Sequence, residues 1–304
     1  MRDRVFAAAR ALGYEPNILG QNLRRGSTRT IGLLVPDISN PLFSEFALGA
    51  EGRLNEEGYA LLITNSHGIP DNDETNLKLL RQRVDGLLLA ISDETDKTTL
   101  ARLNSLDRPF VLLDRDIPGL NRPSVRWDHA SGVHAIATYL MDLLHKRIAM
   151  IDGNPQVRPP RIRSEALLSA SSGRPDVSIR IYNGTFTPEH GEATTERLLA
   201  GKNPPTAIIA GSSQILVGML RAIRRANLRI PEDISLVSIE RAPMLEFIDP
   251  PIANIDRDFL HFGRIATEVL LHLVDGDSAD EVILPVSFDP GASCASPGDR
   301  LAGS

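Results

Sequence analysis

The stretch TIGLLVPDISNPLFSEFALGAEGRLNEEGYALLIT, residues 30–64, decides how the rest of the chain is read. IGLLV (31–35) is an unbroken apolar run of strand length. NPLFSEFALGAEGRLNEEG follows, with Phe43, Phe46, Ala47, Ala50 and Leu54 on one face at helical spacing. Pro41 suits the first turn of that helix, and Gly58 suits its C-terminal cap. YALLIT (59–64) is a second apolar run. Strand, helix and strand in this order predict a parallel pair joined by a right-handed crossover.

The alternation continues outward. A helix is expected around 71–83, a strand at GLLLA (86–90), a helix around 95–105 and a strand at PFVLLD (109–114). The pattern then restarts. A helix is expected from Asp128 to His145, then the strand RIAMID (147–152), a helix around 161–171 and the strand SIRIY (178–182). A helix over 188–200, TAIIA (206–210), a helix over 212–226 and ISLVSI (234–239) complete it. Two successive α/β units of similar size predict two similar lobes, with a ligand held where the C-terminal ends of the strands face a cleft. The tail offers a helix (258–274) and a short strand, EVILPV, expected to complete one lobe each. The expected division is 29–127 with 256–276 for the first lobe and 128–255 with 277–293 for the second. A Gly/Ser/Pro-rich tail, 294–304, is expected to be frayed.

Composition narrows the function classes. With 304 residues, 42% hydrophobic and 24% charged, the chain reads as a globular protein long enough for two domains. No apolar run approaches the roughly 18 residues that span a bilayer. The single cysteine, Cys294, excludes an internal disulfide and fits a reducing cytoplasm. His and Cys do not cluster at zinc spacing. Charge is uneven: six Arg against Asp3 and Glu15 give the first 30 residues +4, while the whole chain is −6, so the remainder carries −10. A basic head on an acidic body suggests that the head alone meets a polyanion, although a solvated helix face would look the same. No glycine-rich phosphate loop and no G-x-S-x-G elbow occurs. Asp114-Arg115-Asp116 ends a strand without a positioned nucleophile, so it reads as a polar lining of the cleft. The chain is therefore expected not to be an enzyme and to need no cofactor.

Taken in order, several segments resemble the lactose/galactose-repressor (LacI-type) family of bacterial transcription regulators. RDRVFAAARALGYEPN (2–17) is similar to the last helix of that family's DNA-binding head and the linker after it. GQNL (20–23) looks like the hinge helix, and TIGLLVPDISNPLF (30–43) like the first strand and turn of the effector domain. VDGLLLA, DHASGVHAIATYL, HKRIAMIDG, PPTAIIAG, LRIPEDISLVSI and PPIANIDRDFLHFG follow in the family's order. The resemblance implies a two-lobed α/β fold like that of periplasmic binding proteins, preceded over 1–28 by a remnant of the DNA-binding head and a short hinge helix. It also implies a homodimer whose two hinge helices lie together on operator DNA. Asn17 would cap the hinge helix, Leu23 would wedge into a base step, and Gln21, Arg24 and Arg25 would contact the duplex, the arginines at phosphates. Leu23 as a linker residue packed on the body is the competing reading. The two helices that read bases in this family precede the first residue of this sequence, so operator contact is expected to be weakened.

The same resemblance places effector contacts at Leu42, Phe43, Asn65, Asp114, Arg163, Ser213 and Glu240. Phe43 could stack on a ring or pack in the core. Arg163 could anchor a polar group or lie at the surface. Ser212-Ser213 stands where the family has Asn-Asp, Ser238-Ile239-Glu240-Arg241 where it has Gly-Phe-Asp-Asp, and Ala166-Leu167 where it has Gly-Phe. These departures predict an effector other than a plain hexose, or a narrowed pocket. A solute-binding protein of a transporter, which shares the fold, is the alternative.

Overall fold

The computed structural model describes residues 27–297. The first lobe is laid down as β1 (Thr30–Val35), α1 (Pro41–Glu56), β2 (Ala60–Asn65), α2 (Pro70–Leu80), β3 (Gly86–Leu89), α3 (Lys97–Asn104), β4 (Phe110–Leu113) and β5 (Ser124–Trp127). The chain crosses into the second lobe as α4 (His129–Asp142), β6 (Arg147–Asp152), α5 (Arg158–Ala170), β7 (Ser178–Asn183), α6 (Pro188–Leu199) and β8 (Ala207–Ala210). That lobe continues through α7 (Ser213–Arg225), β9 (Ser235–Ser238), a 3-10 turn (Pro243–Phe247) and β10 (Ala253–Asp256). The chain returns to the first lobe as α8 (Phe259–Val274) and β11 (Val282–Leu284), and ends in the second with β12 (Ser287–Asp289).

Each lobe carries a six-stranded sheet, ordered β11-β5-β4-β3-β1-β2 in the first and β12-β10-β9-β8-β6-β7 in the second. All pairs are parallel except β10 with β12. The central strands are apolar throughout because helices cover both of their faces: Ile31, Leu33, Leu34, Leu87 and Leu88 are fully buried. The helix read from the opening stretch starts as its residues dictate. The Asn40 side chain accepts from Leu42 N at 3.2 Å, and Pro41 occupies the first turn. Its partner is α8, and glycine sets their spacing: a Cβ on Gly49 would lie 1.9 Å from Leu260 O, and one on Gly263 would lie 2.2 Å from Phe46 O. A pair of glycines does the same where α6 meets α7, since a Cβ on Gly191 or Gly218 would strike the facing backbone.

The chain therefore crosses between lobes three times, after β5, after β10 and between β11 and β12. This corrects one boundary. The segment 277–293 was expected wholly in the second lobe, but Val282–Leu284 pairs with β5, and Leu284 is buried in the first lobe's core. The open edge of β5, a strand the sequence reading missed, supplies the ladder for it. α5 also begins three residues before its expected start, because Pro159 and Pro160 sit in the first turn, where no intrahelical N–H is needed. The head and hinge residues Asn17, Gln21, Leu23, Arg24 and Arg25 lie outside the described residues.

Candidate functional site

The C-terminal ends of the central strands of both sheets face one another, and between them lies a partly enclosed cavity of about 110 Å³. That is room for roughly four waters at about 30 Å³ each. The first lobe contributes Leu42, Phe43 and Phe46 from the start of α1, Asp114 and Arg115 after β4, and Trp127 at the end of β5. Arg257, Phe259 and Phe262 enter where the chain crosses back. The second lobe contributes Val157, Pro159 and Arg163 from α5, Phe186 and Glu240.

The aromatic side is tightly built. Trp127 and Phe262 have ring centroids 5.1 Å apart, Trp127 and Phe259 5.4 Å, and Phe46 and Phe262 5.2 Å, all tilted or edge-on. These are the arrangements that ring quadrupoles favour. Arg257 lies over Phe259 at 4.9 Å and over Trp127 at 5.9 Å.

The polar side is a chain of buried ion pairs that joins the lobes. Asp114 sits at φ 52°, a left-handed conformation that Asp tolerates better than most residues. Its carboxylate lies 2.7 Å from His129 Nε2 and accepts from Arg158 Nη1 at 2.9 Å. Burial alone would raise the Asp114 pKa. His129, Arg158 and Arg115 together outweigh that and hold it well below the usual carboxylate range. Burial pushes His129 down to about 3, with Arg163 and Arg257 opposing its charge further. The imidazole is thus neutral. Its Nε2–H donates to Asp114, and Nδ1 accepts from Arg163 Nε at 3.3 Å. Arg163 spends its Nη1 on Gly211 O at 2.8 Å and on Asp152 Oδ1 at 3.3 Å.

A second link runs from Glu94, in the loop after β3, to the start of α5. That helix has no side-chain cap of its own. Glu94 supplies one from the other lobe: Oε1 accepts from Arg158 N at 2.8 Å and Oε2 from Arg161 Nη2 at 2.8 Å. The carboxylate thereby meets the positive end of the helix dipole. At the neck of the first lobe, Asp85 accepts from Ser27 Oγ, Thr28 N and Arg29 N at 2.5, 2.8 and 2.9 Å. It bolts the chain to the body just where it enters β1.

Of the residues expected at the site, Leu42, Phe43, Asp114, Arg163 and Glu240 line the cavity. Ser213 stands behind it, and its backbone N–H donates to Glu240 Oε2 at 2.8 Å. Asn65 lies apart from the cavity at the end of β2, its side chain 3.3 Å from His67 Nδ1. β2 is the edge strand of its sheet, so its C-terminal end is carried away from the cleft. Sequence reading missed Trp127, His129, Arg158 and Arg257. Trp127, His129 and Arg257 sit where a strand ends and the chain changes lobe, whereas Arg158 opens α5 with nothing beside it in the sequence to mark it. Among the described residues no group of three or more His, Cys, Asp or Glu could hold a metal ion, and no helix is long and apolar enough to cross a membrane.

A family profile for a periplasmic binding protein-like domain matches residues 137–294. The HTH-type transcriptional repressor CytR of Escherichia coli (strain K12) is 31% identical over 279 residues, which cover 90% of this chain and 81% of that protein. The ribose operon repressor of the same strain is 30% identical over 278 residues, covering 89% and 83%. Among solved structures, a LacI family transcriptional regulator from Enterococcus faecium with bound ribose superposes with a TM-score of 0.78 at 27% identity. It covers 88% of this chain and 99% of that one.

Proposed function

The chain belongs to the LacI family of transcriptional regulators, and on that premise we propose that it is a ligand-responsive repressor whose effector is a sugar or sugar derivative held between the lobes. One observation carries this reading: the cavity takes its lining from both lobes and from two of the three points where the chain crosses. A ligand there touches both bodies at once, so its binding energy goes directly into their relative position. The ribose in the Enterococcus faecium regulator supports a pentose-sized effector. The cavity lining here is a mixed aromatic and hydrogen-bonding set of the kind that grips sugar rings.

The output side of the switch is the neck. Asp85 ties residues 27–29 to the first lobe, so any rotation of that lobe is passed to the basic segment holding Leu23, Arg24 and Arg25. In this reading the segment pairs with its copy in a homodimer and enters the minor groove. Leu48, Ile63, Ile69 and Leu79 are large exposed apolar residues of the first lobe, and they supply a face for that dimer. The test is binding of the purified chain to palindromic duplexes that differ in their central step, followed by fluorescence anisotropy at two salt concentrations. Salt-sensitive binding that responds to effector and is lost in Leu23→Ser is the expected result. Binding indifferent to both effector and Leu23 would refute the coupling.

A further inference from the structure

Every cation in the cavity wall already has a carboxylate of the protein beside it. Arg163 lies 3.3 Å from Asp152, Arg257 lies 3.4 Å from Glu240, and Arg115 lies 3.7 Å from Glu94. The first two pairs are shut away from bulk water: Arg163 is 2% exposed, Asp152 0%, Arg257 8% and Glu240 6%. Neither acid is free to leave. Glu240 Oε2 is held by Ser213 N at 2.8 Å, and Asp152 Oδ1 by Gly153 N at 2.8 Å. An anionic ligand would have to draw an arginine away from a carboxylate that stays buried, and breaking a buried pair on one side is the costly case.

A neutral ligand meets no such conflict. Trp127 Nε1 and Arg257 Nε, both on lining residues, are buried donors without a partner among the described residues. Asp152 Oδ2, beside Arg163, is a buried acceptor without one. These atoms lie behind the cavity surface, so what the wall offers a ligand is the outer edge of the paired side chains and the aromatic rings, and neither requires a charge of the ligand. The aromatic wall formed by Phe43, Trp127 and Phe259 suits the apolar face of a ring.

We propose that the effector is an uncharged polyhydroxylated ring compound, and that Glu240 and Asp152, by pairing Arg257 and Arg163 in advance, bar its phosphorylated and carboxylate-bearing relatives. The inference rests on the cleft being the effector site. It goes further by assigning Glu240 and Asp152 as specificity-determining residues that work through the arginines they neutralise.

The test is calorimetric titration with matched sets: ribose, ribose 5-phosphate and ribonate, and glucose, glucose 6-phosphate and gluconate. In the wild-type chain a neutral member binds, and its anionic partners bind at least about tenfold more weakly. Glu240→Gln releases Arg257 and narrows or inverts that gap. The double variant Glu240→Gln/Arg257→Gln restores the preference for the neutral member. If Glu240→Gln fails to fold, Asp152→Asn puts the same question to Arg163, and the wild-type ratio stands on its own. Equal or tighter binding of a phosphate or carboxylate by the wild type would overturn this inference and leave the effector site intact, as would a gap unmoved by both single variants. No binding by any sugar to any of these proteins would overturn the sugar-effector reading and this inference with it.

Discussion

On its first-lobe side the cleft is walled mainly by aromatic rings, Phe43, Phe46, Trp127, Phe259 and Phe262. On its second-lobe side the chemistry is ionic, with Arg163 against Asp152 and Glu240 reaching to Arg257. The first wall is part of a core: four of its rings are nearly fully buried, and they would stay packed on α1 and α8 if the lobes parted. The second wall is complete only while the lobes are together. His129, at the start of α4, reaches Asp114 of the first lobe, Arg158 reaches the same carboxylate, and Glu94 caps α5 from across the cleft. Apolar packing gives the site a floor of fixed shape. The charges register whether it is open or shut, because a buried ion pair tolerates separation far worse than an apolar contact does.

Removing one ionic partner is the strongest way to break this contrast. Arg163→Ala strands Asp152 and takes the donor from His129, and should cost about 3–5 kcal/mol of stability. Asp152→Asn in the same chain should recover part of that loss, and calorimetric melting of the wild type and the two variants measures it. The aromatic wall is expected to respond otherwise. Phe262→Ala opens a cavity in the first lobe and should cost about 3–4 kcal/mol, with no second substitution among the ionic groups restoring it. Recovery of Phe262→Ala by an ionic substitution would erase the distinction between the walls.

Acid sharpens the comparison. His129 is pushed down to about 3 from 6.5, so between those values the unfolded chain binds the proton and the folded one does not. Stability present at neutral pH is then lost as pH falls through about 6.5, by about 2 kcal/mol at pH 5 from this residue alone. Burial raises Asp73, Glu94 and Asp152, and these push the other way, since a raised acid favours the folded state as pH falls. The difference between wild type and His129→Gln in melting temperature across pH 5–7 isolates the His129 part, and the variant should lose that component of the slope. The smallest expected effect is at the half-buried Phe43. Phe43→Ala should cost no more than about 1 kcal/mol of stability while weakening effector binding roughly fivefold, because its ring packs only partly on the core and otherwise lines the cavity.

Much of this fold was legible because its signals are local. The apolar runs at 31–35, 86–90 and 147–152 are buried parallel strands, and Asn40-Pro41 announces a helix start by itself. β5 and β12 escaped because each is short and is placed by the strand beside it: SVRW and SFD have no alternation or apolar length to mark them, whereas EVILPV reads as a strand and only its lobe is hidden. The site divides the same way. Asp114 and Glu240 end strands that are evident in the sequence, and both line the cavity. His129, Arg158 and Arg257 matter through partners 15, 44 and 17 positions away, which no spacing rule encodes. Asn65 ends a strand too, but strand order, invisible before the sheet is assembled, puts that strand at the edge.

Trp127 is the single tryptophan of the chain and stands in the cavity wall, so its fluorescence reports on this cleft alone. The most direct measurement is that emission during titration with the neutral sugars, in the wild type and in Arg163→Ala. A saturable change in the wild type, absent or shifted at least tenfold to higher concentration in the variant, is what a site built jointly by the two walls predicts. A saturable change of equal midpoint in both proteins would mean that the ionic wall takes no part in holding the effector, and would contradict the account.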